Sequence, residues 1–207
     1  MRIEGAGKEF YVYYMFGCRG SIGTGDLDRI CRGKRNSGIK DEPDYDKLMK
    51  WRLGVLKEHG LGLKEIQDVI RTIDPLPGAK EFLDELRSFT QVILISDTFT
   101  QFASPLMEKL GWPTLFCNSL EVAENGEITG FKMRVEQSKL TTVKALQSIG
   151  FDTIASGDSY NDLGMIQASK AGFLFRSTDK IKADYPDIPA YETYEELLSA
   201  IRKAMVD

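Results

Sequence analysis

Histidine is almost absent from this chain. One imidazole (His59) and three thiols (Cys18, Cys31, Cys117) are too few to suggest a zinc site or a disulfide framework, and a cytoplasmic setting is expected. No apolar run is long enough for a membrane span, and no signal-peptide pattern opens the sequence. Positive charge is not in excess. With 27 Lys/Arg against 31 Asp/Glu, neither nucleic acid nor an anionic membrane is indicated as a partner. Internal repeats and low-complexity segments are also missing. What remains is 42% hydrophobic and 28% charged, the composition of a globular protein, and 207 residues suffice for one domain with a real core.

The averages conceal a break near Lys40–Asp41. Residues 1–40 hold eight Lys/Arg against four Asp/Glu, whereas residues 41–207 hold 19 against 27. The first stretch also has eight of the 19 glycines, and beyond residue 16 its apolar positions follow no helical or strand period. Within it, "MFGCRGSIGTGDLDRICRGKRN" resembles a phosphate-cradling loop, with Gly20, Gly23 and Gly25 closely spaced. The spacing, however, is G-x-x-G-x-G, and "DLDRICRGKRN" is a poor helix. A nucleotide-binding oxidoreductase built on this loop would need a strand before it and a helix after it.

From Asp41 onward the patterning is regular. "DEPDYDKLMKWRLGVLKEHG" supplies a proline, an acidic first turn and apolar residues at helical spacing up to Gly60. Met49, Leu53 and Leu56 form a packing stripe beside Trp51, and His59 is a helix-end residue rather than a ligand. "GLKEIQDVIRTI" and "DPLPGAKEFLDELRSF" give two more helices. "QVILIS" is the continuous apolar run of a buried parallel strand. Helix "TQFASPLMEKLG", strand "TLFC" and a hairpin about Asn125-Gly126 follow. Helix "SKLTTVKALQSIG", strand "DTIAS", helix "YNDLGMIQASK", strand "GFLF" and helix "TYEELLSAIRKAM" complete the chain. This alternation predicts an α/β parallel sheet with two early helices standing apart.

Ligands of such sheets sit beyond the carboxyl ends of the strands. Two strand ends here turn abruptly polar: "VILI" runs into Ser96-Asp97-Thr98, and "TIAS" into Gly157–Asp162, "GDSYND". Lys139 lies between them at a helix start. A hydroxyl, an ammonium and paired carboxylates on one face suit phosphoryl transfer, because Ser and Lys hold phosphoryl oxygens while carboxylates hold a divalent cation. Each group alone has a plainer reading: a turn at Ser96–Thr98, a solvated Lys139, a helix-surface Arg52.

These stretches resemble motifs of the haloacid dehalogenase (HAD) superfamily. "VILISDTF" is similar to its second motif, Lys139 in "EQSKLTTV" to its third and "GDSYND" to its fourth. Within the superfamily, the branch of phosphoserine phosphatases and phosphoserine:homoserine phosphotransferases is the nearest likeness. "DEPDYDKLMKWR" resembles that branch's cap segment, and the likeness runs from about residue 41 to the C-terminus. It implies a Rossmannoid parallel sheet with a small helical cap, divided as 41–75 cap and 76–207 core. It also implies a role in serine biosynthesis, Mg²⁺ as cofactor and phosphoserine, a small phosphorylated amino acid, as substrate. Ser96 would donate to the phosphoryl group and Lys139 would neutralise it. Arg52, Asp97, Thr98 and Asn161 would bind substrate, with Arg52 on its carboxylate. Asp158 would ligate the metal, with Asp162 supporting it. Oligomeric state is left open.

One part of the family's chemistry is missing. An aspartate at the end of the first strand attacks phosphorus, and an acidic residue two positions on handles the leaving-group proton. The branch reads roughly "CLDLEGVLVPEIW" there. Here Asp26 and Asp28 have the right mutual spacing, but no apolar strand precedes them. The genetic code offers an explanation. Taking the second and third bases of each codon from Tyr11 with the first base of the next permits "MYIICLDVEGVLVPEIW", which matches the family segment. Residues 1–10 then read as translated leader, with a purine-rich stretch at Gly7-Lys8-Glu9. Residues 11 to about 37 read as an enzyme N-terminus out of frame, so the first core strand is expected to be missing or aberrant. The glycines of the opening loop become a by-product of GGN codons. Two readings stay open beside the oxidoreductase: a phosphatase whose nucleophile motif is out of frame, and a non-catalytic remnant of the family.

Overall fold

The computed structural model describes residues 10–14 and 45–206. Seven strands form one sheet: β1 (Phe10–Tyr14), β2 (Gln91–Phe99), β3 (Thr114–Val122), β4 (Ile128–Lys132), β5 (Asp152–Gly157), β6 (Ala171–Phe175) and β7 (Ala190–Tyr191). Their order is β4-β3-β2-β1-β5-β6-β7, parallel throughout except for the antiparallel β3–β4 hairpin. The helices are α1 (Tyr45–Glu58), α2 (Leu63–Arg71), α3 (Ala79–Arg87), α4 (Thr100–Lys109), α5 (Ser138–Ser148), α6 (Leu163–Ala168), α7 (Asp179–Asp184) and α8 (Tyr194–Val206).

The apolar run of β2 shows why the sheet is covered on both sides. Val92 and Leu94 join one buried cluster with Leu83 and Leu86 of α3, Leu106 of α4, and Leu197 and Ile201 of α8. Ile93 and Ile95 join a second, on the opposite face, with Val143 of α5, Met165 and Ile166 of α6, and Ile181 of α7. Successive strand residues point to opposite faces, so a strand buried on both must be apolar at every position. The early helices have their own cluster. Met49 and Leu56 of α1 and Ile66 and Ile70 of α2 pack against Phe99, Phe102, Leu120 and Ile128. The stripe read from the sequence thus faces the start of α4 and the β3–β4 hairpin. That hairpin turns at Asn125-Gly126, where Gly126 has φ +85° and the Asn125 side chain accepts from the Glu127 N–H at 3.1 Å.

Several expectations need correction. The first strand is not missing: Phe10–Tyr14 holds the central place, paired on one side with β2 and on the other with β5. It is aberrant in content, since "FYVYY" carries no acid and no acidic residue occurs between Glu9 and Asp26. β2 does not stop at Ser96. It continues to Phe99 across an irregularity between Ile95 and Phe99, so Ser96-Asp97-Thr98 bulge out of the ladder instead of following it. "TLFC" is not a separate strand but the first half of β3, whose pairing passes from β2 to β4 along its length. The short α7 and β7 have no counterpart in the sequence reading. The glycine loop, Asp26 and Asp28, and most of the out-of-frame segment lie outside the described residues.

Candidate active site

The strand order reverses at β1, which puts the carboxyl ends of β2 and β5 on either side of it. Such a switch point opens a crevice where ligands bind. Three loops supply its side chains: the β2 bulge, the first turn of α5 and the turn after β5.

Lys139, in the first turn of α5, is 4% exposed. Its Nζ donates to Asp162 Oδ1 at 2.7 Å and lies 3.3 Å from Asp97 Oδ2. Asp162 is fully buried, and its other oxygen accepts three bonds from the turn after β5: from the Asp158 N–H at 3.1 Å, the Ser159 N–H at 3.0 Å and the Ser159 hydroxyl at 2.8 Å. A buried charge needs this degree of satisfaction. Asp158 is half-buried. Burial pushes its carboxyl pKa up, and the negative charge of Asp162 adds to the shift.

In the β2 bulge, the Ser96 hydroxyl accepts from the Thr98 N–H at 3.2 Å, and Thr98 itself is buried. The Asp97 carbonyl accepts from Asn118 Nδ2 at 3.0 Å, while Asn118 Oδ1 accepts from the Arg134 N–H at 3.0 Å. Asn118 is 2% exposed and sits in β3 opposite Phe99. The bulge and the strand-to-helix connection before Lys139 are therefore tied through one amide.

A cleft of about 470 Å³ opens here, lined by Asp97, Lys139 and Asn161 with Met133, Val135 and Leu140 among its apolar walls. Asp97, Lys139 and Asn161 are thus brought together, with Asp162 locked against Lys139. Ser96, Thr98 and Asp158 flank this group along the chain but do not line the cleft. Arg52 does not line it either. It is neither the helix-surface residue of the plainer reading nor a cleft residue: it is 4% exposed in α1, with Nη1 3.8 Å from the Met49 sulfur. His59 is exposed, its Nδ1 2.9 Å from the Val55 carbonyl oxygen, consistent with a helix-end role. Asn118 and Arg134 carry no signal in the sequence, because their partners lie on other elements. Ser159 stands inside "GDSYND", and its part in holding Asp162 emerges only from the turn.

Of the two carboxylates expected at the metal, Asp158 is the one that would hold a divalent cation, with waters completing its shell. Mg²⁺ takes oxygen ligands in near-octahedral geometry. Both oxygens of Asp162 are committed to Lys139 and the turn, and among the described residues no three His, Cys, Asp or Glu converge on a metal position. Asp162 is a brace for the site in this arrangement, not the metal residue expected. No helix among the described residues is long and apolar enough to cross a membrane.

A sheet with this switch point, an ammonium held between two carboxylates, and "SDT" and "GDSYND" at neighbouring strand ends define a class of phosphoryl-handling enzyme. The family model for haloacid dehalogenase-like hydrolases matches residues 24–170, and the chain belongs to this family. Among curated proteins, "Phosphoserine phosphatase ThrH" of Pseudomonas aeruginosa is 46% identical over 165 residues, covering 80% of each chain. The phosphoserine phosphatase of Methanocaldococcus jannaschii is 28% identical over 151 residues, covering 68% of this chain and 70% of that protein. Among solved structures, a substrate-bound phosphoserine phosphatase complex superposes with a TM-score of 0.70 at 22% identity, covering 93% of this chain and 98% of that one. That likeness establishes the fold.

Proposed function

We propose that this chain derives from a phosphoserine phosphatase whose nucleophile motif is out of frame, and that the protein as written binds a small phosphorylated amino acid without turning it over. The observation that carries this reading is Lys139, held by Asp97 and Asp162 at the switch point beside the end of β1. In the family's chemistry an aspartate at that strand end attacks phosphorus while the ester P–O bond breaks. An acid two residues later then gives the departing oxygen its proton. Lys139 would offset the charge on the phosphoryl group, and the Ser96 hydroxyl would donate to one of its oxygens. Arg52, Thr98 and Asn161 are assigned to substrate, with Arg52 facing the carboxylate once the site is completed. Residues 41–75 act as the cap over a core of residues 76–207. A cytoplasmic role in serine biosynthesis accords with this substrate.

Support comes from the 46% identity to a relative that bears the name phosphoserine phosphatase. Turnover, a magnesium requirement and transfer to homoserine are assigned to the frame-restored protein, because β1 of the chain as written carries no acid to attack phosphorus. The test begins with the DNA across codons 8–42. A one-base difference that yields "CLDVEGVLVPEIW" would supply the missing strand end. Phosphate release from phosphoserine is then measured for both chains with and without Mg²⁺. Mg²⁺-dependent release by the restored chain alone is the expected result. Release by the chain as written would overturn the loss of function, and none from either would overturn the substrate.

A further inference from the structure

We infer that Arg134 is a positioning residue for Lys139, clamping the first turn of α5 so that the ammonium points into the cleft; this rests on the phosphoryl-binding reading above. Its Nη2 donates to the Ser138 hydroxyl at 2.7 Å, to the Thr142 hydroxyl at 2.6 Å and, more weakly, to the Ser138 carbonyl at 3.4 Å. Ser138 and Thr142 are both buried, and Lys139 follows Ser138 directly. The guanidinium also lies over the Phe116 ring, 5.1 Å from its centroid, and the Arg134 N–H is held by Asn118. One residue therefore links β3, the chain entering α5 and two residues of its first two turns, Ser138 and Thr142.

The first turn needs an external hold. Gln137, immediately before α5, has φ +44° and ψ +48°, and its side chain caps no helix N–H. The left-handed region costs a non-glycine residue roughly 1–2 kcal/mol and persists where surrounding contacts fix it. This bend precedes Lys139 by two residues and sets the direction in which α5 starts. A cation at a helix N-terminus opposes the helix dipole, so the dipole does not account for the placement of Arg134. Its Nη2 reaching two hydroxyls and a carbonyl while the planar head lies over Phe116 does, and a lysine in its place would offer a point charge without the flat face for the ring.

Two measurements on the full chain test this. Hydrogen exchange at residues 138–142 is compared in the parent, R134A and R134K, and phosphoserine affinity is measured by calorimetry in the same proteins. Thermal midpoints are recorded to separate clamping from global unfolding. The expected result is faster exchange in this turn for R134A and roughly tenfold weaker phosphoserine binding, with partial recovery in R134K. Added methylguanidinium should restore binding to R134A. A general loss of stability would not be repaired in that way. Unchanged exchange at residues 138–142 in R134A overturns the clamp whether or not the parent binds phosphoserine. Changed exchange with unchanged affinity overturns the link to Lys139. If the parent binds no phosphoserine, the substrate reading fails, and the exchange data still decide the clamp.

Discussion

Lys139 Nζ donates to Asp162 Oδ1 at 2.7 Å, and the two residues, 23 apart in sequence, are 4% and 0% exposed. The carboxylate also gathers three donors from the turn after β5. Removing one member of a buried pair leaves the other uncompensated, so Asp162→Ala should cost about 3–5 kcal/mol. Lys139→Met should cost less, about 1–3 kcal/mol, because Asp162 keeps three of its four donors. Urea unfolding of both variants checks this order, and a larger loss for Lys139→Met would reverse it.

Gly157 ends β5 against the Asp162 side chain. A Cβ at this position would stand 2.4 Å from Asp162 Cβ and 2.5 Å from its Cγ. Gly157→Ala must therefore push the carboxylate away from Lys139 and the turn, destabilising by about 1–3 kcal/mol, the usual range for overpacking. Thermal unfolding reads the stability. Gly54→Ala, where nothing lies within 4 Å, is the control and should not lower it.

Gln137 adopts the left-handed conformation at a position that lines the cleft. Gln137→Gly relieves the Cβ contact and should stabilise by up to about 1 kcal/mol, less what glycine gains in unfolded-state entropy. A lowered unfolding midpoint would mean that the Gln137 side chain contributes more than its backbone strain costs.

Several exposed carboxylates are held below their usual range. Asp68 is lowered chiefly by its hydrogen bond from Lys64, Asp84 by those from Lys80 and Arg87, and Glu196 by backbone N–H groups at the start of α8. A carboxylate with a depressed folded pKa contributes stability above its unfolded pKa, and that contribution is lost as pH falls through the folded value. The urea midpoint should therefore drop on acidification below the ordinary carboxylate range, and D68N/D84N should show a shallower drop.

Tyr160 behaves in the opposite sense. Its hydroxyl donates to Asp184 at 2.5 Å, and that bond pushes its pKa up to about 12. A raised folded value means the contribution is present below the unfolded tyrosine pKa and is lost as pH climbs toward the folded one. In a spectrophotometric titration a phenol ionising near about 12 should vanish in Y160F. Its persistence would assign that step to another tyrosine.

Much of the fold could be read from the chain because burial leaves a periodic trace. The run "VILI" required cover on both faces and received it. The stripe of Met49, Leu53 and Leu56 required a partner and found the hairpin and α4. Asn125-Gly126 required a turn and made one. Pairing beyond Ser96 and the joining of "TLFC" to the next strand were not legible, since a ladder depends on what a neighbouring strand offers.

The site divides in the same way. The sequence by itself determined which groups stand at the strand ends, Ser96, Asp97, Asp158 and Asp162, and that no acid follows β1 before Asp26. Only the tertiary structure decided how they are used. It spends both oxygens of Asp162 on Lys139 and a turn, leaving them unavailable to a metal. It buries Arg52 beside Met49 and draws Asn118 and Arg134 into the support of the cleft. The physical reason is that residue type limits the chemistry a side chain can perform, whereas its partners are set by elements that meet only when the sheet closes around β1.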